Sequence, residues 1–450
     1  MNPEFKRNLW QELSLQRVIA MPIILLAIFF VASQKFDLSI IPPVALTLMV
    51  LLLVVWGSGL AADAIFQEIR EHTWDALRMT PLGPWAMGWG KLFGCTVFVW
   101  YGAFWCVLTI LLISLRLHLN YQVVSFQVAY HLLVGLFAQA FALFTALLFQ
   151  RISPIRSRAR SVFIQIFAIV VSSLVFMMGN EQTNPVVLSW YNLGLSHEQF
   201  VIGSLIFFCL TLLFGIYRLL RLELQLHSFP WAWPLFLVIW IGYLWGFAPE
   251  MDNPKGFLKV LYIGVAYVTL LKGTFLSAFF TPKNIIYYFR WVNYFKEAKY
   301  KQALALTPPW ILTGIMGLII LFPLVLFLQK IEFTTVSEPL WMIGFCISIF
   351  FFLLRDLGLM YYLTFNFHAK RAHLATIVYL IVLYTLVPML VFLTPISKVW
   401  YPAIAPWAWG LEGITSHLQL FLTILLVFLQ AMIAWGFVIM RWKAATKQLA

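Results

Sequence analysis

"PPVALTLMVLLLVVWGSGLAADAIFQEIREHTWDALRMTP", residues 42–81, joins two stretches suited to different solvents. Residues 42–62 hold no ionisable side chain, and as a helix at about 1.5 Å per residue they match the ~30 Å hydrocarbon core of a bilayer. The remainder crowds Glu68, Arg70, Glu71, His72, Asp75 and Arg78 into one run and then meets Pro81. That change of character marks a chain leaving a membrane.

The composition generalises the reading. Hydrophobic residues make up 62% of the 450, charged residues only 10%, and the mean hydropathy is +0.90. A soluble domain carries about 25% charged residues, so this chain lacks the polar surface to coat a water-facing globule. Apolar runs recur at 18–34, 42–62, 93–115, 124–149, 161–179, 199–217, 233–249, 259–280, 311–328, 340–362, 374–393 and 418–440. Lipid offers no partner to a backbone amide, and the runs lack the alternation of barrel strands, so they are predicted to be helices. The expected class is an all-α polytopic membrane protein of about twelve transmembrane helices. No loop is long enough to bury a soluble core of its own.

Basic residues report orientation, because they concentrate in loops that stay in the cytoplasm. With the N-terminus inside, the inner loops and tails hold clusters such as Arg156, Arg158 and Arg160, then Lys296, Lys299 and Lys301, then Arg441, Lys443 and Lys447. The outer loops hold only Lys35, Arg116, Lys255, Lys259, Lys330 and Lys398. Both termini are expected in the cytoplasm, with the chain multi-pass in the inner membrane. The formal charge of +13 follows this pattern and does not indicate nucleic acid. Cys95, Cys106, Cys209 and Cys346 show no paired spacing, so neither disulfides nor a metal site are expected. The first span has basic flanks but no small-residue cleavage pattern, and it is read as retained.

Ala76-Leu77-Arg78-Met79-Thr80-Pro81 returns as Ala303-Leu304-Ala305-Leu306-Thr307-Pro308. Trp190-Tyr191 answers Trp400-Tyr401, the basic run 151–160 answers 368–373, and Arg218 answers Arg441. Landmarks in the same order predict two parallel six-helix pseudo-repeats, 1–224 and 225–450, related by an axis along the membrane normal. On one continuous helix, residues 65–78 would gather Glu68, Glu71, His72 and Asp75 on one side, with an apolar stripe of Ile65, Phe66, Ile69, Thr73, Ala76 and Leu77 on another. That predicts an amphipathic helix along the inner membrane surface, ended by Pro81 and turned by Gly83-Pro84. Acids gain nothing beside anionic lipid, so such a face suits a protein partner.

The stretch "IFQEIREHTWDALRMTPLGPWAMGWGKLFG", 65–94, resembles the cytoplasmic coupling segment of ABC-type export permeases of the six-helix class. Glu68, Arg70, Glu71, Thr73, Leu77, Thr80, Pro81, Leu82, Trp85, Gly90 and Lys91 carry the likeness. In that family an amphipathic connecting helix opens each unit, as "NPEFKRNLWQELSLQR" does at 2–17. A hairpin also dips back between spans five and six, a role that loops 180–198 and 394–417 fit. The resemblance implies docking on a separate ATPase subunit, in two copies, through Glu68, Arg70, Glu71, Thr73, Asp75, Arg78, Thr80 and Pro81. In the second half Lys296, Glu297, Lys301, Thr307 and Pro308 would do the same, although lysines replace the acid cluster there. The usual family member has one six-helix unit, whereas this chain carries two; a further copy of itself remains a possible partner.

ATP and Mg²⁺ are expected only in the partner. A P-loop needs G-x-x-x-x-G-K-[ST], and Gly90-Lys91 has Trp85 and Leu92 at the positions of the first glycine and the hydroxyl. No catalytic residue, cofactor site or metal ligand is expected in this chain. Lys272, the most central ionisable residue, is either part of a substrate path or a snorkelling side chain. Arg355-Asp356 reads as a structural pair and His131 as a hydrogen-bonded helix contact. The function implied is the permease subunit of an exporter of an amphipathic or lipid-like substrate, with membrane lipids around it. A secondary transporter is the alternative, and a membrane transferase the third option; neither mid-bilayer relay nor outer-face catalytic set is evident in the sequence.

Overall fold

A computed structural model of the chain describes residues 2–35, 37–152, 158–179, 188–226, 230–247, 257–281, 285–330, 337–365, 372–393, 398–410 and 417–447. Among them, eleven helices are long and apolar enough to cross a membrane. The expected twelfth, 233–249, is instead a helix of 14 residues, Ala232–Trp245, capped by Gly246. At about 21 Å it falls short of the hydrocarbon thickness. Residues 248–256, which follow, lie outside the described residues.

The chain divides into two compact units, Met1–Ser189 with Leu193–Ser228, and Trp190–Asn192 with Phe229–Ala450. The first contains α1 (Pro3–Glu12), α2 (Leu15–Lys35), α3 (Leu38–Arg70), α4 (Trp74–Arg78), α5 (Pro84–Gly94), α6 (Val97–Arg116), α7 (Tyr121–Ile152), α8 (Arg158–Gly179) and α9 (His197–Glu223). α7 is the central helix. Ala138, Ala140, Ala142 and Ala146 are fully buried along it, and their small side chains let neighbouring backbones approach.

In α3 a π-turn over Leu51–Trp56 displaces backbone carbonyls from the regular ladder, and two glutamines from other helices satisfy them. Gln139 Nε2 donates to the Leu53 carbonyl (3.1 Å) and Gln165 Nε2 to that of Val55 (2.9 Å). Gln139 Oε1 in turn accepts from Trp100 Nε1 at 2.9 Å. The sequence makes room with Gly57, where a Cβ would sit 2.4 Å from the Gln139 amide.

The second unit contains α10 (Ala232–Trp245), α11 (Phe257–Phe280), α12 (Ile285–Lys296), α13 (Tyr300–Ala305), α14 (Pro309–Lys330), α15 (Ser337–Thr364), α16 (Ala372–Val391) and α17 (His417–Lys447). α15 is its hub: Tyr267 on α11 donates to the Cys346 carbonyl (2.8 Å), and Trp435 on α17 to that of Leu354 (3.0 Å). The segment between α16 and α17 contains two short 3₁₀ helices, Lys398–Ala403 and Pro406–Gly410. Gln430 Nε2 donates to the Ala403 carbonyl at 2.8 Å. Gln430 lies about 20 Å along α17 from His417, so this segment folds back deep along the helix, as a re-entrant hairpin does. Of loop 180–198, the described part forms a short β-hairpin, Leu188–Trp190 with Leu193–Leu195, closed by Tyr191 and Asn192 at positive φ.

Gln139→Leu should lower stability by about 2 kcal/mol, because it strands a displaced carbonyl and the Trp100 indole together. Thermal unfolding of the purified protein in detergent measures it, and an unchanged midpoint would show that the π-turn does not need the amide.

Candidate functional site

The charged run does not form the single surface helix that its periodicity predicts. α3 continues out of its span to Arg70 and ends in a Schellman motif: Glu71 N donates to Gln67 O (2.9 Å), His72 N to Ile69 O (3.3 Å) and Thr73 N to Glu68 O (2.9 Å). His72 takes the left-handed conformation, φ 58°, that usually calls for glycine. The break rotates everything beyond it. Glu71, His72, Thr73 and Asp75 are exposed, whereas Glu68 is buried. The proposed docking face therefore loses Glu68.

Glu68 belongs instead to a four-charge cluster. Lys91 on α5, only 1% exposed, donates to Glu4 Oε1 (3.2 Å) and to Glu68 Oε2. Arg7 Nη2 bridges the same two acids, at 2.9 Å to Glu4 and 2.5 Å to Glu68. The indole of Trp74, buried by α4, lies 5.4 Å from the Lys91 ammonium. Two acids and two cations leave no net charge, and removing one member of such a set costs far more than the intact set stabilises.

Local sequence builds this cluster. Asn2 caps α1 by accepting from Glu4 N (3.0 Å), and Pro3 occupies the first turn, where no amide is missed. Gly90 and Gly94 then bring α1 against α5: a Cβ on Gly90 would lie 2.7 Å from Glu4 Cβ, and one on Gly94 2.8 Å from Asn8 Nδ2. Asn8 Nδ2 donates to the Gly90 carbonyl at 3.2 Å. Sequence reasoning missed Glu4 and Arg7 as partners of this site. The available signal was the Gly-x-x-x-Gly spacing of 90–94 facing an amphipathic helix with acids and bases on its polar side.

The rest of the run is anchored from the other flank. Arg78 Nε donates to the Glu223 carbonyl (3.0 Å), and the Glu223 carboxylate pairs with Arg151 (3.1 Å). Arg70 pairs with Asp63 at 3.1 Å, and Thr80 Oγ1 donates to Leu77 O at 2.6 Å. Gly83 caps α5 and Pro84 opens it, as the turn chemistry predicts. What protrudes is a small tip: Glu71, His72, Asp75 and Pro81 around Met79, which is 89% exposed.

The second unit repeats the backbone device with other side chains. Glu297 N donates to Asn293 O (2.9 Å), Ala298 N to Phe295 O (3.2 Å) and Lys299 N to Tyr294 O (2.9 Å), with Ala298 at φ 55°. Lys296, Glu297, Lys299, Tyr300 and Lys301 are exposed there. A hydrogen bond to Glu297 (2.8 Å), reinforced by its charge, raises the Lys299 pKa. Thr307 and Pro308 are buried, which removes them from the expected docking surface. Thr307 Oγ1 donates back to Ala303 O (3.0 Å) and receives the Trp291 indole (3.4 Å). Where the first unit keeps its charges, this one packs aromatics: Tyr288 and Tyr361 share a hydrogen bond of 2.7 Å beneath Trp310.

Inside the spans, Arg355 and Asp356 pair at 3.1 Å, as their adjacency suggests, and His131 Nδ1 meets the Gln127 carbonyl at 2.6 Å. Lys272 is exposed on α11. Among the described residues no group of His, Cys, Asp and Glu has a metal-holding arrangement. No protein-family model matches the chain, and no curated protein or solved structure shows significant similarity to it.

Lys91→Met should cost about 3–5 kcal/mol by leaving two buried carboxylates with Arg7 alone. Loosened α1 should then be cut by trypsin at Lys6 and Arg7 roughly tenfold faster. Adding Glu68→Gln restores neutrality and should recover protection. Cleavage that stays at the wild-type rate in Lys91→Met would mean that the cluster does not hold α1.

Proposed function

We propose that the chain is the transmembrane permease subunit of an ABC-type exporter, moving an amphipathic or lipid-like substrate out of the cytoplasm. ATP and Mg²⁺ are then bound by a separate ATPase subunit. The observation that carries this reading is the tip around α4: Glu71 before the helix, Asp75 on it and Met79 at its end are all exposed, with the Glu4–Arg7–Glu68–Lys91 cluster on one side and Arg78 bonded to Glu223 on the other. A surface that is acidic with one apolar projection suits a basic groove with an apolar socket, and its rigid base suits transmission of force. The likeness of 65–94 to export-permease coupling segments points the same way. The positive-inside pattern supports a cytoplasmic-membrane location with both termini inside, which puts the tip on the ATPase side.

The two tips carry opposite character, acidic at 71–79 and basic at 296–301. Two ATPase copies docking on one chain would therefore meet unlike surfaces, through different side chains or with different affinity. The division of the chain into two helical units supports reading it as two halves that the usual family member brings together from two chains.

One observation favours a second reading, an ion-coupled secondary transporter. Asp356 accepts from Tyr384 OH at 2.5 Å and from Arg355, near the middle of the spans, and a buried carboxylate–tyrosine contact is the kind of group such transporters use.

Glu71→Lys with Asp75→Lys separates the readings, because both side chains are exposed and their partners, Gln67 (2.9 Å) and Arg78 (3.5 Å), are local surface contacts. The double variant should insert and melt like the wild type. It should lose ATPase copurification and reduce ATP-dependent transport by about tenfold or more. Full transport in the variant, or gradient-driven transport with no ATPase attached, would turn the assignment to the second reading.

A further inference from the structure

One face of α5 carries a line of aromatic rings. Trp85, Trp89 and Phe93 recur every four residues, and their rings meet in turn, with centroids 5.7 Å apart from Trp85 to Trp89 and 4.5 Å from Trp89 to Phe93. Phe93 continues the line to Trp100 of α6 at 6.0 Å, and that indole is the one bonded to Gln139 beside the π-turn of α3. Trp85 and Trp89 are exposed, while Phe93 and Trp100 are half-buried. Interfacial aromatics sit at one headgroup level, whereas this line runs about 12 Å along α5 and leads on to a buried polar centre.

The facing wall is α9. Gly88 lets the two helices meet closely, since a Cβ there would lie 3.1 Å from Leu220 Cδ1 and 3.3 Å from Ile216 Cγ2. Beside that seam Trp85 meets the Tyr217 ring edge-on at 6.1 Å, and Tyr217 meets the exposed Phe214 at 6.4 Å. Arg221 stands at the end of this furrow, one turn beyond Tyr217, and its Nη1 donates to Tyr217 OH (3.2 Å). Among the described residues Arg221 has no other hydrogen bond and no carboxylate partner, and its Nε is buried with nothing to bond. Tyr217 OH accepts from the guanidinium, so its own proton is left to donate. Arg218, three residues earlier on the same helix, adds a second positive charge. The acid closest in sequence, Glu223, is held by Arg151 at 3.1 Å on another side of α9. The furrow therefore ends in cations that no carboxylate of its own complements.

We infer that this furrow binds an anionic phospholipid, its phosphodiester held by Arg221 with Tyr217 and one acyl chain laid along Trp85, Trp89 and Phe93. A guanidinium can take two phosphate oxygens at once, and flat rings cover an acyl chain over a large area. Two positive charges select a headgroup of net negative charge over a zwitterion, whose ammonium they repel. The positive-inside pattern puts Arg221 on the inner leaflet, where a lipid leaving the cytoplasmic side would be collected. This rests on the reading of the chain as a permease for amphiphiles and names the class of its cargo; it requires no particular source of energy.

The test titrates the purified full-length chain, in dodecyl maltoside, with dioleoyl phosphatidylglycerol or dioleoyl phosphatidylcholine and counts retained lipids by native mass spectrometry. Wild type should hold phosphatidylglycerol about tenfold more tightly. Arg221→Gln, which removes a half-exposed side chain with one local bond, should melt like the wild type and erase that preference. Trp85→Leu with Trp89→Leu should weaken retention of phosphatidylglycerol about threefold or more. Lys443→Gln removes an exposed cation of the second unit and should leave the preference intact. Equal retention of the two lipids by wild type, an undiminished preference in Arg221→Gln, undiminished retention in the tryptophan variant, or an equal loss in Lys443→Gln would overturn the inference. So would displacement of the lipid by an equal concentration of inorganic phosphate, which assigns the site to a free anion. The assay contains neither ATPase nor ion gradient, so its outcome is read separately from that of the Glu71→Lys, Asp75→Lys experiment.

Discussion

Within hydrocarbon a polar group has only the protein to bond to, and nearly every specific feature of this structure answers that constraint. The π-turn of α3 exposes carbonyls, and glutamines from α7 and α8 meet them. The re-entrant carbonyl of Ala403 is met by Gln430 on α17. Arg355 and Asp356 neutralise one another and draw in Tyr384 and the same Gln430. Each contact joins helices that the apolar effect alone would not orient, since lipid tails are as apolar as leucine side chains.

The same rule, applied at the foot of the first unit, makes the acidic tip a defined surface. A charge cluster costs little when complete and a great deal when one member is missing, so Lys91 fixes α1, α3 and α5 together. Trp74 covers that ammonium from α4, and Arg78 reaches across to the end of α9. The tip that remains is short, exposed and backed by rigid elements, the condition under which a surface contact can move the spans beneath it.

The two units reach a common backbone geometry by different chemistry. Both break a helix with a left-handed non-glycine residue, His72 in one and Ala298 in the other, and both follow it with a short helix and then a proline-opened helix. Beneath the first break lie four charges; beneath the second lie Tyr288, Tyr361 and Trp310. An aromatic cluster keeps its packing without needing a matched partner for every charge, which leaves the lysines of the second tip free to face outward.

The sequence alone determined the class and the number of long apolar helices to within one, because about twenty uncharged residues have a single stable arrangement in lipid. It also marked Gly83-Pro84 as the turn that opens the next helix. It did not place Glu68, because the break at His72 uses a residue with no strong preference for that conformation, and one lost turn rotates every later side chain. Only tertiary structure could bury Lys91, whose carboxylate partners lie 23 and 87 residues away. The mid-span cluster is likewise invisible in sequence. Beyond the adjacent Arg355 and Asp356, its members Tyr384 and Gln430 are single polar residues on two other spans, and only the packing of those helices decides that they meet.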